Sequence, residues 1–402
     1  MTAVETKLPA SFLTPPAAQR ELEPAVAGRP LKLALAIAFP ADPSRPRGGV
    51  EAVAVSLVRG LARRPELDVH VVTQNQTPEQ PNQSSWEGAT VHRLPPPGGP
   101  QIVAAVGAGR RQVQDFLRQL QPDVVHAHDT FGIMVKGFPA PRVFTVHGFI
   151  HEDTRYAGGR FSWLRSKLWK RIETSSWADQ PHIVSISPYV RERLRGVTNA
   201  VIHDIENPIA YECFSVKRNE TPGTIFCAAA VCRRKNTLGL VEAFHQLLRD
   251  HPKARLRWAG LATDAAYEKS VREYLERHHL TEKVSLLGSV SSGQIRQELA
   301  QASVFALVSF EEGAPMGIAE AMAAGVPVVT SNRCGMPYMV RDGETGFLVD
   351  PNKPTDIASR LDQLLSDDSL REQMGGRAFT AASELFHPDR VAARTLAVYQ
   401  RA

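Results

Sequence analysis

Residues 303–331 read SVFALVSFEEGAPMGIAEAMAAGVPVVTS, and the chain changes character twice within them. Val304 to Val308 is an apolar run of strand length, Glu311 to Gly317 a loop rich in glycine, and Ile318 to Ala324 a short helix stopped by Gly325. Val326 to Thr330 is a second apolar strand. Strand, loop, helix, strand is the order of a parallel α/β sheet. It sets Glu312 beyond the carboxyl end of one strand and Glu320 about a turn into the helix, at the crevice where open sheets bind ligands. Gly313 and Gly317 permit close approach, and the free amides opening the helix at Met316, Gly317 and Ile318 can hold phosphate oxygens. Two carboxylates beside an anion site need hydroxyls or a cation as partners, so a phosphorylated polyol suits the site. Two solvated acids on a loop and a helix would show the same spacing.

The same alternation extends in both directions. LKLALAIAF at 31–39 is the first strand, with further strands at 69–74, 123–128, 142–147 and 182–187 and helices between them. A second series starts near 223 with TIFCAA, ARLRWAG, KVSLLG, SVFALV and VPVVTS. The polar, aperiodic stretch 203–222 reads as a linker, and two doubly wound domains joined there enclose a cleft. After Pro354 come three helices, broken near Asp367 and at His387–Pro388.

Composition sets limits. A 402-residue chain with 43% hydrophobic and 22% charged residues can bury two cores. Its four cysteines form no CxxC pair and no disulfide framework, which fits a reducing cytoplasm. Residues 1–30 lack a continuous apolar segment and read as a flexible leader, and no run is long enough to span a membrane. A net charge of +5 favours anionic ligands or lipid surfaces mildly and is too small to argue for nucleic acid.

The segment from Glu312 to Val328, with Glu320, Ala321, Met322, Ala323, Gly325 and Pro327 in register, closely resembles the donor-binding signature of the retaining glycosyltransferases of family 4. That resemblance runs over residues 31–402, is most specific from 304 to 350 and is weakest between 74 and 120. It implies the GT-B fold: two Rossmann-like doubly wound α/β domains facing across a cleft. Residues 31–205 would form the acceptor-side domain and 206–385 the nucleotide-sugar domain, with 386–402 crossing back to the first. It further implies that Glu320 grips a ribose and that Glu312 lies by the donor sugar.

Gly48 and Gly49, between the first strand and first helix, suit close backbone approach to a phosphate or sugar and equally an ordinary loop. The resemblance places them at the diphosphate and the acceptor. His147 ends a strand, where a lone histidine is either structural or a donor to a sugar hydroxyl. The family has a similarly placed histidine contacting the donor sugar. His126, His128 and Asp129 follow the preceding strand; a metal site and a role in shaping the acceptor side are both open there.

Lys235 matches the lysine with which the family binds the donor diphosphate. Ala230 stands where the family commonly has an arginine five residues earlier, so Arg233 is expected to compensate and Arg234 to lie on the surface. Tyr338 replaces the glutamate of the family's Gly-x-Pro-Glu.

Phe161, Leu164, Leu168 and Ile172 recur at helical spacing, as in a helix packed on the sheet. Arg155, Arg160, Arg165, Lys167, Lys170 and Arg171 would rim it and can receive an anionic acceptor or lipid headgroups.

The expected activity is metal-independent, retaining transfer of a sugar, a hexose by preference, from a nucleotide diphosphate sugar to an acceptor hydroxyl. UDP-sugar is favoured, with Glu312, His147 and Lys235 as catalytic groups and no cofactor beyond the donor substrate. The place of action would be the cytoplasm or the inner membrane face. The alternatives are a related phosphorylase or nucleotide-sugar isomerase, and a non-catalytic nucleotide-sugar-binding protein.

Overall fold

Short apolar runs separated by amphipathic helices bury best as parallel strands covered on both faces. The computed structural model describes residues 29–156 and 161–402, so nearly all of the leader expected over 1–30 lies outside the described residues, as does Arg160. The strands are β1 Leu31–Ala36, β2 Leu67–Thr73, β3 Gln83–Trp86, β4 Ala89–Arg93, β5 Val124–His128, β6 Arg142–Val146, β7 His182–Ser185 and β8 Val201–Asp204. The second domain adds β9 Thr224–Ala228, β10 Arg255–Ala259, β11 Val284–Gly288, β12 Val304–Leu307, β13 Val328–Ser331 and β14 Gly346–Val349.

One sheet has the order β3-β4-β2-β1-β5-β6-β7-β8 and the other β11-β10-β9-β12-β13-β14. Among the described residues only β3 pairs antiparallel, with β4. β1 lies between β2 and β5, and β9 between β10 and β12. Each sheet therefore reverses its winding beside its first strand, and the crevices at the carboxyl ends of β1 and β9 are its topological switch points. These are two Rossmann-like domains whose sheets face across a cleft.

Leu33, Leu35, Val69 and Val71 bury one face of the first sheet beneath helix Gly49–Ala62 and the final helix Pro388–Tyr399, which contributes Val391, Ala392 and Leu396. Gly60 admits that last helix: a Cβ there would stand 2.8 Å from the Pro388 carbonyl oxygen and 3.2 Å from the Ala392 Cβ. The second domain has its own core around Phe226, Trp258, Phe305 and Ile318. The chain crosses between domains twice, and the crossings touch where the Ile209 amide donates to the Phe386 carbonyl at 3.1 Å.

Three features depart from the sequence reading. The β3–β4 hairpin turns at Glu87 and Gly88, with φ of 49° and 89°, as a two-residue hairpin loop requires. β8 occupies the stretch expected to open the linker, and Ile205 and Asn207 after it are buried. Helix Ser162–Trp177 does not pack through Phe161, Leu164 and Leu168, which are 56%, 53% and 49% exposed. Trp169, Glu173, Ser176 and Trp177 form its buried side instead.

Candidate active site

Loops at the carboxyl ends of strands in both sheets converge on the cleft. After β9, Arg233–Lys235 make one 3₁₀ turn that ends at Asn236, held left-handed at φ 55°. The Asn236 side chain is buried and donates to the carbonyls of Val308 (3.2 Å) and Pro351 (2.8 Å), which pins the turn against the loop after β12. Lys235 then meets Glu312 in a direct ion pair, and Arg234 reaches the other carboxylate oxygen at 3.3 Å. Arg234 also donates to the Glu311 carbonyl at 2.9 Å. Glu312 is only 8% exposed, so its charge depends on these two cations.

The positions of the two arginines reverse the expectation. Arg233, assigned to the diphosphate, is exposed with its guanidinium over the Tyr267 ring at 5.2 Å. Arg234, expected on the surface, faces the cleft. Successive residues of a 3₁₀ turn diverge by about 120°, so one arginine of a neighbouring pair must face away.

The Glu312 loop is fixed from behind. Gly335 donates its amide to the Glu312 carbonyl at 2.8 Å, and a Cβ on Gly335 would lie 1.7 Å from the Gly313 oxygen. No other residue fits. Helix Met316–Ala323 then starts directly on the sheet, for a Cβ on Gly317 would stand 3.0 Å from Phe305 Cζ and 3.2 Å from the Ala228 oxygen. The amides of Met316 and Gly317 have no partner within the helix, as at any helix start. Ile318 does not join them: its amide donates to the Pro315 carbonyl at 3.1 Å and its side chain is fully buried in the core.

Gly48 and Gly49 close this end from the first domain. Gly48 has φ 147°, a conformation that favours glycine, and a Cβ on Gly49 would be 3.5 Å from Met316 Cγ. Glu320 sits apart on the same helix. Burial pushes its carboxyl up to about 7, against the opposing pull of Arg296, and its charge is felt at the Cys213 thiol.

His147 faces Glu312 from the end of β6. Its Nε2 is 2.7 Å from His128 Nδ1. His128 lies tilted against His126 (ring centroids 4.3 Å apart), and His126 is held by the Tyr399 hydroxyl and the Thr145 hydroxyl, each at 2.7 Å. Burial lowers all three imidazoles, His126 to about 3 and His128 well below the ordinary value, while Asp129 partly offsets the effect at His147. The row is therefore neutral at physiological pH. Among the described residues no group of three or more His, Cys, Asp or Glu is arranged to hold a metal ion.

His147, Gly148, Phe149, Glu152, Asp153 and Tyr189 on one side and Arg234, Glu311, Glu312 and Gly313 on the other line a pocket of about 160 Å³. Glu152, Asp153 and Tyr189 escaped the sequence reading. Their signal was positional: Glu152 and Asp153 open the helix directly after the His147 strand end, and Tyr189 opens the one after β7.

The chain matches two family models that meet between the domains: Glycosyltransferase Family 4 over residues 47–212 and Glycosyl transferases group 1 over residues 212–380. It belongs to this glycosyltransferase family, has the GT-B fold, and is of the class that transfers a sugar from a nucleotide-sugar donor. Over 385 residues it is 26% identical to an uncharacterised glycosyltransferase of Methanocaldococcus jannaschii, covering 89% of this chain and 95% of that one. A more local match, 32% identical over 179 residues and 44% of either chain, is to a D-inositol 3-phosphate glycosyltransferase of Paenarthrobacter aurescens.

Among solved structures it resembles sucrose-phosphate synthase of Thermosynechococcus elongatus, with a TM-score of 0.75 at 18% identity over 92% of this chain and 98% of the other. It also resembles Anabaena HepE in complex with UDP and glucose, with a TM-score of 0.72 at 16% identity over 92% and 100% of the two chains. At such identities the likeness is one of fold. No helix among the described residues is long and apolar enough to cross a membrane.

Proposed function

We propose that the enzyme is a retaining, metal-independent hexosyltransferase acting on a nucleotide diphosphate sugar, UDP-sugar by preference, and an acceptor hydroxyl. The observation that carries this reading is a buried carboxylate, Glu312, countered by Lys235 and Arg234 and facing His147 across a pocket of about 160 Å³. The donor would lie along the second domain (206–385) and the acceptor would enter from the first (31–205). Lys235, Arg234 and the amides of Met316 and Gly317 would neutralise the leaving diphosphate, Glu320 would take the ribose, and Glu312 and His147 the sugar hydroxyls. As the bond from the anomeric carbon to the phosphate oxygen breaks, the acceptor oxygen attacks from the same face and its proton passes to that phosphate oxygen.

The UDP preference is supported by the likeness to HepE, which binds UDP. A cytoplasmic setting is supported by four cysteines that are all free thiols. The test is turnover of a nucleotide-sugar panel with mixed acceptors, read by mass spectrometry, with the product's anomeric configuration read by NMR. Retained configuration, with most of the rate surviving EDTA treatment, is expected. Inversion would overturn the stereochemistry, and total loss restored only by Mg²⁺ or Mn²⁺ would overturn the electrostatic assignment. Phosphate-dependent breakdown or absence of any turnover would favour the phosphorylase or binding-protein alternatives.

A further inference from the structure

Helix Ser162–Trp177 turns large apolar side chains to solvent where a packed helix would bury them. Trp163 is 60% exposed, Leu164 53% and Leu168 49%. Leu164 and Leu168 are one helical turn apart, and Trp163 lies beside them with the Lys167 ammonium 5.1 Å from its ring centroid. Lys167, Lys170 and Arg171 are exposed on the same helix. The helix's one acid, Glu173, is buried and accepts from the amides of Ile150 and His151 and from the His151 ring. The exposed face is thus apolar and cationic, with no carboxylate of its own.

Exposed apolar residues that cluster mark an interaction surface. A second copy of the chain is a poor occupant, because a two-fold contact would set the same cations against each other. A surface of negative charge with an apolar layer beneath it satisfies both halves of the pattern. Trp prefers the boundary between headgroups and acyl chains, and long basic side chains extend from it to phosphates.

We propose that this helix face docks the protein on an anionic bilayer. Trp163, Leu164 and Leu168 enter the headgroup boundary, and Lys167, Lys170 and Arg171 meet the lipid phosphates. The helix packs against Ile150–Tyr156, whose Glu152 and Asp153 line the cleft, so docking sets the acceptor side of the cleft beside the lipid surface. The proposal stands apart from the sugar-transfer reading and is tested without turnover.

The full chain is floated with vesicles of phosphatidylcholine alone and of phosphatidylcholine with phosphatidylglycerol. Binding to the anionic vesicles should be at least tenfold stronger and weaken with salt, and tryptophan emission should shift to the blue. The triple variants Trp163→Ser/Leu164→Ser/Leu168→Ser and Lys167→Glu/Lys170→Glu/Arg171→Glu should each lose tenfold or more, while binding nucleoside diphosphate as the parent does. Failure of the parent to bind anionic vesicles at low salt overturns the proposal, as does parental binding by both variants. Loss in the charge variant alone would mean adsorption without insertion and overturns it too. So would a parental dimer that the serine variant dissolves while neither protein binds vesicles.

Discussion

At the scale of single residues, the site consists of charges that one another's presence makes tolerable. Glu312 stays in a nearly closed position because Lys235 and Arg234 hold it, and a donor diphosphate would compete for the same two cations. Arg234→Ala should therefore weaken nucleoside diphosphate binding about tenfold or more, with nucleoside binding little changed, since a charge-assisted phosphate contact is what disappears. Arg233→Ala should alter calorimetric affinity less than twofold, because its guanidinium is spent on Tyr267. Equal losses in both variants would refute the assignment of inward and outward roles. Glu320 supplies a pH dependence. Its folded pKa, raised by burial to about 7, exceeds the ordinary carboxylate value, so the folded state binds the extra proton between the two. Stability from this group is full below the unfolded value and lost as pH rises towards 7, on the order of 3 kcal/mol across the whole titration. Glu320→Gln should gain stability relative to the parent as pH rises from about 4.5 to 7 in urea titrations. Donor affinity of the parent should fall as pH drops below 7, because a neutral acid is a poorer acceptor for ribose hydroxyls. A stability difference between the parent and Glu320→Gln that does not change with pH would show that the Glu320 carboxyl is not held above its ordinary value.

At the scale of elements, the sequence disclosed what local pattern controls and hid what contact controls. The strand–loop–helix–strand at 303–331 was legible because apolar runs, glycines and a helix stop all agree, and β12, helix Met316–Ala323 and β13 fall within it. The direction of a side chain on a three-residue turn was not legible, since it depends on where Asn236 is tied. The exposed face of Ser162–Trp177 was misread for a related reason. Periodicity shows that a helix has an apolar stripe, not which of two stripes the fold covers, and Trp169 with Trp177 won. Gly60 was silent in the sequence, an unremarkable glycine inside a helix that costs stability there unless something needs the room. The final helix needs it. Gly60→Val should force that helix outward and cost about 1–3 kcal/mol, the usual range for overpacking. Gly60→Ala should cost less, with its helix propensity partly offsetting the clash. A midpoint for Gly60→Val equal to the parent's in urea unfolding would mean that the final helix is not seated as the packing indicates.

At the scale of the whole molecule, the domains meet at the cleft through a few contacts, Ala314 against the first domain's core among them, and one hydrogen bond there is diagnostic. Ser187 occupies the cap position of helix Pro188–Leu194 in the first domain, where its hydroxyl would ordinarily accept from the helix's own amides. It makes no such bond. Instead it donates across the cleft to the Gly313 carbonyl at 2.8 Å, next to Glu312. The backbone is also near: a Cβ on Gly313 would come within 3.4 Å of the His147 oxygen. The loop that carries the central carboxylate is thus tied to the opposite domain through a hydroxyl the helix forgoes, so domain apposition bears on the loop beside Glu312. Ser187→Ala should leave the helix intact, because no cap is lost, and remove a bond worth about 1 kcal/mol, enough to shift an opening equilibrium roughly fivefold. Small-angle scattering of the ligand-free variant should show a larger radius of gyration than the parent. Added nucleoside diphosphate should reduce the difference in part, by bringing Arg234 and Lys235 onto a ligand that spans the same gap. Donor KM should rise with kcat less affected, since the bond positions the domains and touches no reacting atom. Identical scattering and an unchanged KM would show that apposition is set by other contacts, among them Ala314 against the first domain's core and the chain crossings at Ile209 and Phe386, with Ser187 a bystander at the cleft.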